Sequence, residues 1–241
     1  MEYSKTVVER LFDRAMNYRK ELLLSAALVA VSGASITGYF FYKDFVSKQG
    51  HKAYAGAMQL LQARVLKENE AKGPFELAFT SKTEKWQAVA EAFSKVYAQY
   101  SHVGIGAMAG AAQAQALLHL GDDAQARTVL ADVLTHINEP NVLALYTLTY
   151  ARLLIDSSAE GDKERGMSLL TQLAATKENA VHDSALYYLG LEYWLSDDTV
   201  SAANYWKQLI AQYDRADRKS SPWVSKAKEK LALIDGVSES F

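Results

Sequence analysis

The feature that most constrains this chain is an uncharged segment over residues 22–42. As an α-helix this segment would extend roughly 31 Å, and the hydrocarbon core of a bilayer is about 30 Å thick. A buried helix of this length in a soluble domain would normally carry a polar face. The segment therefore predicts a transmembrane helix at 22–42 that follows a tail at 1–21.

The residues that flank the segment predict its orientation. Aromatic residues crowd its C-terminal end, as is typical of the membrane interface. Basic residues are in modest excess before the segment, with Lys5, Arg10, Arg14, Arg19 and Lys20 ahead of it and Lys43, Lys48 and Lys52 just after it. The positive-inside rule then predicts a cytoplasmic N-terminus and an external C-terminal domain, periplasmic in a Gram-negative bacterium.

A cleaved signal peptide is the alternative reading of the same segment. Ser32, Gly33 and Ala34 offer the small residues of a cleavage site, but apolar sequence continues to Tyr42, beyond an ordinary signal-peptide core.

Within the segment, small residues recur at every fourth position, namely Ala26, Ala30, Ala34 and Gly38. On a helix they form one smooth stripe, and such stripes allow membrane helices to pack closely. The stripe predicts a partner-binding face in the membrane, although Ala and Gly are also simply common in such segments.

Composition limits what the rest of the chain can do. Residues 43–241 are enough for one domain with a proper core. The net charge is −2 and the chain has no cysteine, which argues against nucleic-acid binding and excludes disulfides and thiolate metal sites. Few prolines and abundant Ala, Leu, Gln, Lys and Glu predict a helical domain.

Internal repeats predict the fold of that domain. The last third has large and small residues at tetratricopeptide spacing, namely Leu186, Leu189, Gly190, Tyr193, Ala202, Trp206 and Leu209. Two upstream sets occupy equivalent positions: Ala114, Leu117, Gly121, Asp122, Ala126, Leu130 and Val133, then Ala151, Leu154, Gly161, Asp162, Gly166, Leu170 and Leu173. Small residues allow paired helices to cross closely, and large ones fill the space between hairpins.

Other local signals complete the predicted architecture. Ser81 and Glu84 have capping-box spacing and should begin a helix, preceded by a loop over 69–83 and a helix over 46–68. Ser221 and Pro222 should begin a capping helix at about 222–235. The predicted fold is all-α, with an N-terminal transmembrane helix followed by a tetratricopeptide-like helical-hairpin solenoid at 43–241.

No motif predicts catalysis, a cofactor or a metal site. The five histidines lack metal-pair spacing and are expected to be exposed or to cap helices; they are His51, His102, His119, His136 and His182. The glycines of 104–110 should permit helix contacts, and the paired aspartates Asp122–Asp123 and Asp197–Asp198 should cap second helices. We expect no enzyme activity, although a membrane-bound enzyme without a recognisable motif stays an alternative.

Three features complete the layout, namely the residues Tyr18, Arg19 and Lys20, the segment LTYARLL at 148–154, and the repeat positions above. In these features and in its layout the chain resembles the ancillary subunit family of the Sec translocon. The resemblance implies a single-pass inner-membrane protein with a periplasmic repeat domain that acts as a scaffold at the protein-export site. Its anchor would contact translocon subunits, and its repeats would contact periplasmic chaperones or emerging chains.

The repeats themselves predict a protein-interaction surface. Stacked hairpins form a concave face that suits a peptide or a partner helix. First-helix positions Gln113, Thr147, Tyr187 and Glu192 are the candidates for that face. A structural assembly factor of another envelope complex, for secretion or cell division, would use the same architecture.

Overall fold

The structure, a computed structural model, describes the backbone over 19–67, 76–215 and 220–238 and at residues 70 and 73. Side chains are described from residue 39 onward in these ranges, except at 40 and 235–238. Helices dominate the described ranges, with the bounds α1 Arg19–Gln62, α2 Lys82–Tyr100, α3 Gly104–Leu120, α4 Asp123–Val133, α5 Pro140–Ile155, α6 Asp162–Ala175, α7 His182–Leu195, α8 Thr199–Tyr213 and α9 Pro222–Ser238.

The chain divides into two compact units, Met1–Lys52 and Ala53–Phe241. The predicted transmembrane segment belongs to the first unit, and its side chains, including the stripe of small residues, lie almost entirely outside those described. In the part that the structure does describe, no helix has the length and apolar character needed to cross a bilayer. The anchor and the orientation therefore stay predictions.

The connection before α2, which was predicted to be a loop, is flanked by a short pair of parallel strands. Strand β1 (Arg64–Val65) pairs with β2 (Ala78–Phe79), and the preceding helix ends at Gln62 instead of continuing to residue 68. The guanidinium of Arg64 binds the carboxylates of Glu70 and Glu76 across the connection. Two-residue strands have no periodicity of their own, so the sequence did not predict this pair.

The predicted helix caps are confirmed. The hydroxyl of Ser81 accepts a hydrogen bond from the Glu84 amide at 3.0 Å, at the start of α2. Asp122 and Asp198 accept from first-turn amides of α4 and α8, at 3.1 Å and 2.9 Å. Each cap satisfies an amide that the helix itself leaves unpaired.

The repeat register is confirmed by burial. Successive hairpins are formed by α3 with α4, α5 with α6, and α7 with α8. Their second helices bury the same two positions, the small residues Ala126, Gly166 and Ala202 and the large residues Leu130, Leu170 and Trp206. A polar contact also joins two successive hairpins, since the Arg127 guanidinium donates to the Asp162 carboxylate, 35 residues further on, at 3.2 Å.

The helix α9 covers the last hairpin. Its Ala227 is completely buried in a cluster with Tyr187, Trp206 and Leu209. Ser221 precedes the helix, as predicted, and its hydroxyl accepts from the Trp223 amide at 3.2 Å. The same hydroxyl donates to Asp183 at 2.6 Å, which ties the start of α9 to the start of α7.

Candidate partner-binding groove

An apolar groove lies between α3 and α5, the first helices of two successive hairpins. It consists of two adjoining cavities of about 300 and 270 Å³, and Tyr146 lines both. Burial raises the pKa of the Tyr146 phenol, and the nearby Tyr54 phenol adds to the increase. The other apolar lining residues are Ala107, Met108, Ala111, Ala114, Leu118, Leu130, Ile137, Val142 and Leu145.

Several large apolar side chains of this groove face solvent. Met108 and Leu145 are both 49 % exposed and Val142 is 37 % exposed. Contiguous exposed apolar surface of this kind marks interaction sites in soluble domains. The groove can therefore bind apolar side chains of another molecule.

The groove offers almost no charge to a ligand. Apart from His136 and Tyr146, the one ionisable residue in the described lining is Glu139, whose carboxylate caps α5 by accepting from the amides of Asn141 at 3.2 Å and Val142 at 2.6 Å. Gln115 and Thr149 supply neutral polar groups. This lining matches an apolar, uncharged stretch of polypeptide.

The structure does not bring the four predicted groove residues together. Gln113 and Thr147 are partly buried, and neither lines the two cavities. Tyr187 is 7 % exposed, and its ring packs against Trp223 with centroids 4.7 Å apart. Helical periodicity predicts which residues share a face, but only the packing of the helices decides which face is open.

A second surface links α5, α7 and α9 through rings and cations. The guanidinium of Arg152 lies 4.3 Å from the Tyr188 ring centroid, and that ring lies 5.1 Å from the ring of Trp223. The ammonium of Lys226 lies 4.4 Å from the Trp223 ring. We call these four residues the cation–aromatic row. The sequence did not predict the row, because its members meet only through the packing of three helices.

Glu192 lies close to this row. Burial raises the pKa of its carboxyl group, and the nearby Asp156 carboxylate adds to the increase. Lys163 and, more weakly, Arg152 oppose that increase. A raised pKa means that the folded protein favours the neutral form of this group more than water does.

One histidine differs from the prediction that histidines are exposed or cap helices. His182 is 1 % exposed, and its ring lies 2.7 Å from the Tyr213 hydroxyl through Nδ1 and 3.0 Å from the Ala174 carbonyl through Nε2. A carbonyl oxygen can only accept, so Nε2 donates to it. The ring is buried because α7 begins between the C-terminal ends of α6 and α8.

No cluster of three His, Asp or Glu side chains suited to a metal ion occurs among the side chains that the structure describes.

The fold is similar to that of solved repeat proteins. Two crystal structures of a Podosopora anserina protein, described as a kinesin light chain with nearly identical TPR-like repeats, match this chain at 14 % identity. Their TM-scores are 0.54 and 0.53; the matches cover 79 % of this chain and 86 % and 87 % of the other chains. No protein-family model and no curated protein matches. At this identity the likeness shows the fold, an all-helical solenoid of TPR-like repeats.

Proposed function

We propose that this protein is a membrane-anchored protein-interaction scaffold whose repeats bind apolar polypeptide segments. The observation that carries the proposal is the apolar groove between α3 and α5, with Met108, Val142 and Leu145 exposed beside two cavities. TPR-like solenoids offer such faces to peptides and partner helices. The nearly uncharged lining favours an apolar segment over an ionic ligand.

The proposed anchor is the uncharged segment at 22–42, with the N-terminus in the cytoplasm of a bacterium and the repeats in the periplasm. The described aromatic side chains near its C-terminal end support it, since Tyr39, Phe41, Tyr42 and Phe45 are between 61 % and 73 % exposed. Exposed rings in such a cluster are typical of residues at the level of lipid headgroups. Basic residues before the segment support the orientation.

We further propose that the scaffold is an accessory factor at the protein-export translocon. The support is the resemblance in layout and in the segments at 18–20 and 148–154. In this proposal the stripe Ala26, Ala30, Ala34 and Gly38 contacts translocon subunits. The groove contacts periplasmic chaperones or emerging chains.

Photocrosslinking of the full-length chain in intact membranes tests the proposal. A photoreactive residue at Leu145 probes the groove, and one at Ala30 probes the stripe. Val200 is the matched control, because it is 71 % exposed but lies on α8, away from the groove. We expect chaperones or emerging chains from Leu145, translocon subunits from Ala30, and neither from Val200, with adducts identified by mass spectrometry.

Two results would change the proposal. Adducts confined to components of a secretion or division apparatus would support the structural assembly factor instead. The same adducts from Leu145 and Val200 would show that the groove is not the binding surface.

The topology has its own test. A periplasm-dependent reporter fused after Phe241 should be active, and the full chain should stay with membranes through alkaline carbonate extraction. Activity of a cytoplasm-dependent reporter in the same position would reverse the proposed orientation. Release of the chain by carbonate would contradict the proposed transmembrane anchor.

A further inference from the structure

The cation–aromatic row begins on the same side of α5 that lines the apolar groove. Leu145, Thr149 and Arg152 follow one another at helical spacing along α5, so they share one side of that helix. Leu145 and Thr149 line the groove, and Arg152 begins the row. An elongated ligand that lies along this side of α5 would therefore reach both surfaces.

The position of each cation of the row over an aromatic ring leaves it able to bind a ligand. Among the described residues, Arg152 and Lys226 form ring contacts but no hydrogen bond or ion pair. A guanidinium that stacks on a ring keeps the N–H groups at its edge available, in the fork that matches a carboxylate. The ring also shields one side of each cation from water, which strengthens its attraction for an anion.

Nearby charges leave this capacity in place. Lys228 is paired with Asp214 at 2.7 Å, so it contributes little to the row. Glu192 and Asp156 lie on the Arg152 side, but neither carboxylate forms an ion pair with Arg152 among the described residues. On the α9 side, Lys230 lies over the ring of Trp194 at 4.1 Å and adds a further cation, whereas Glu229 places a carboxylate near Tyr187.

We propose that the cation–aromatic row binds the carboxylates of an acidic polypeptide segment whose neighbouring apolar side chains occupy the groove. We base this choice on charge complementarity, because the groove is nearly uncharged whereas Arg152 and Lys226 form no ion pair or hydrogen bond with a carboxylate among the described residues. Arginine binds a carboxylate through two parallel hydrogen bonds, and lysine binds it as a point charge. The inference rests on the proposed function, since it specifies the partner of the same face.

Two matched peptides test the inference on the full-length chain in lipid nanodiscs. Both are fluorescein-labelled and carry two leucines at helical spacing, followed by either four glutamates or four glutamines. Anisotropy titration, with empty nanodiscs as the blank, measures the two dissociation constants. We expect the glutamate peptide to bind about tenfold more tightly at low salt, and we expect the difference to shrink at about 0.5 M NaCl.

Substitutions locate the binding site. Arg152→Gln and Lys226→Gln should each weaken binding of the glutamate peptide several-fold and leave the dissociation constant of the glutamine peptide unchanged. Arg165→Gln is the control, because this arginine also lies over a tyrosine ring, that of Tyr150 at 5.5 Å, but sits on α6 outside the row. Circular dichroism melting checks that each variant is folded.

The outcomes separate the inference from the proposed function. Equal binding of the two peptides, with both weakened by Leu145→Ser, would contradict the proposed acidic ligand. It would still support the proposal that the groove binds apolar segments. Equal effects of Arg165→Gln and Arg152→Gln would also contradict the proposed acidic ligand, because the preference would then reflect general charge. Failure of both peptides to bind would contradict both proposals.

Discussion

At the scale of single residues, close helix crossings depend on positions without a side chain. A Cβ atom added at Gly190 would lie 2.4 Å from Nε1 of Trp206, whose indole donates to the Tyr187 carbonyl at 3.1 Å. Gly166 faces the same limit, with a Cβ 2.6 Å from the Ala151 carbonyl oxygen. These two glycines of the repeat pattern are therefore required sterically, because a side chain would not fit where the two helices cross.

We therefore expect Gly190→Ala to lower the free energy of unfolding by about 1–3 kcal/mol. The added methyl group would displace a completely buried indole and weaken its hydrogen bond. Urea unfolding followed by circular dichroism measures the change.

Gly56→Ala is the matched control. An added Cβ there has no neighbour within 4 Å, and the residue lies inside α1. Alanine should stabilise the helix by about 0.5–1 kcal/mol because it loses less backbone entropy on folding. An equal loss in both variants would contradict the steric explanation.

A cap residue predicts a pH dependence. The amide and hydroxyl of Ser201 lower the pKa of Asp198 below its ordinary value of 3.8. The carboxylate therefore contributes stability that is present above 3.8 and is lost as the pH falls through the lower pKa of the folded state.

Asp198→Asn should accordingly be less stable than the natural chain at neutral pH, and the difference should disappear in acid. Asparagine keeps a capping oxygen but not the charge that favours the helix N-terminus. Thermal unfolding from about pH 7 to pH 2 measures both chains. A difference that stays constant over this range would show that the charge has no role.

At the scale of elements, α9 protects the last hairpin. Ala227 is completely buried against Trp206 and Leu209, whereas Ser225 on the same helix is exposed. Ala227→Asp should destabilise this docking by about 3–5 kcal/mol, because it buries a charge without a partner. Hydrogen exchange should then show lost protection in α9.

Ser225→Asp provides the comparison for that variant. The same charge on the solvent-exposed side of α9 should leave hydrogen-exchange protection nearly unchanged. Equal loss of protection in the two variants would mean that burial of Ala227 does not hold α9 in place.

At the scale of the whole repeat unit, contacts run mainly between neighbouring helices. Stability in such a stack is a sum of local terms and nearest-neighbour terms. Phe93→Ala removes a completely buried ring from α2 and should cost about 3–5 kcal/mol. Protection should fall first in α2–α4 in this variant, but in α7–α9 in Ala227→Asp. Uniform loss of protection in either variant would contradict a stack of semi-independent hairpins.

The sequence by itself determined the repeats, their register and their caps. These features depend on neighbours a few residues apart, such as Ser81 with Glu84 and Asp198 with Ser201, so local spacing records them. It also located the small residues at helix crossings, because a close approach leaves few choices of residue type.

Only the tertiary structure decided which surfaces are open and which distant residues meet. The groove depends on how α3 and α5 pack, and periodicity alone did not exclude Gln113 from it. Arg152, Tyr188 and Trp223 belong to three helices, and His182 is buried by the ends of two others. Such contacts arise from the angles and offsets between helices, which the spacing within any one helix does not contain.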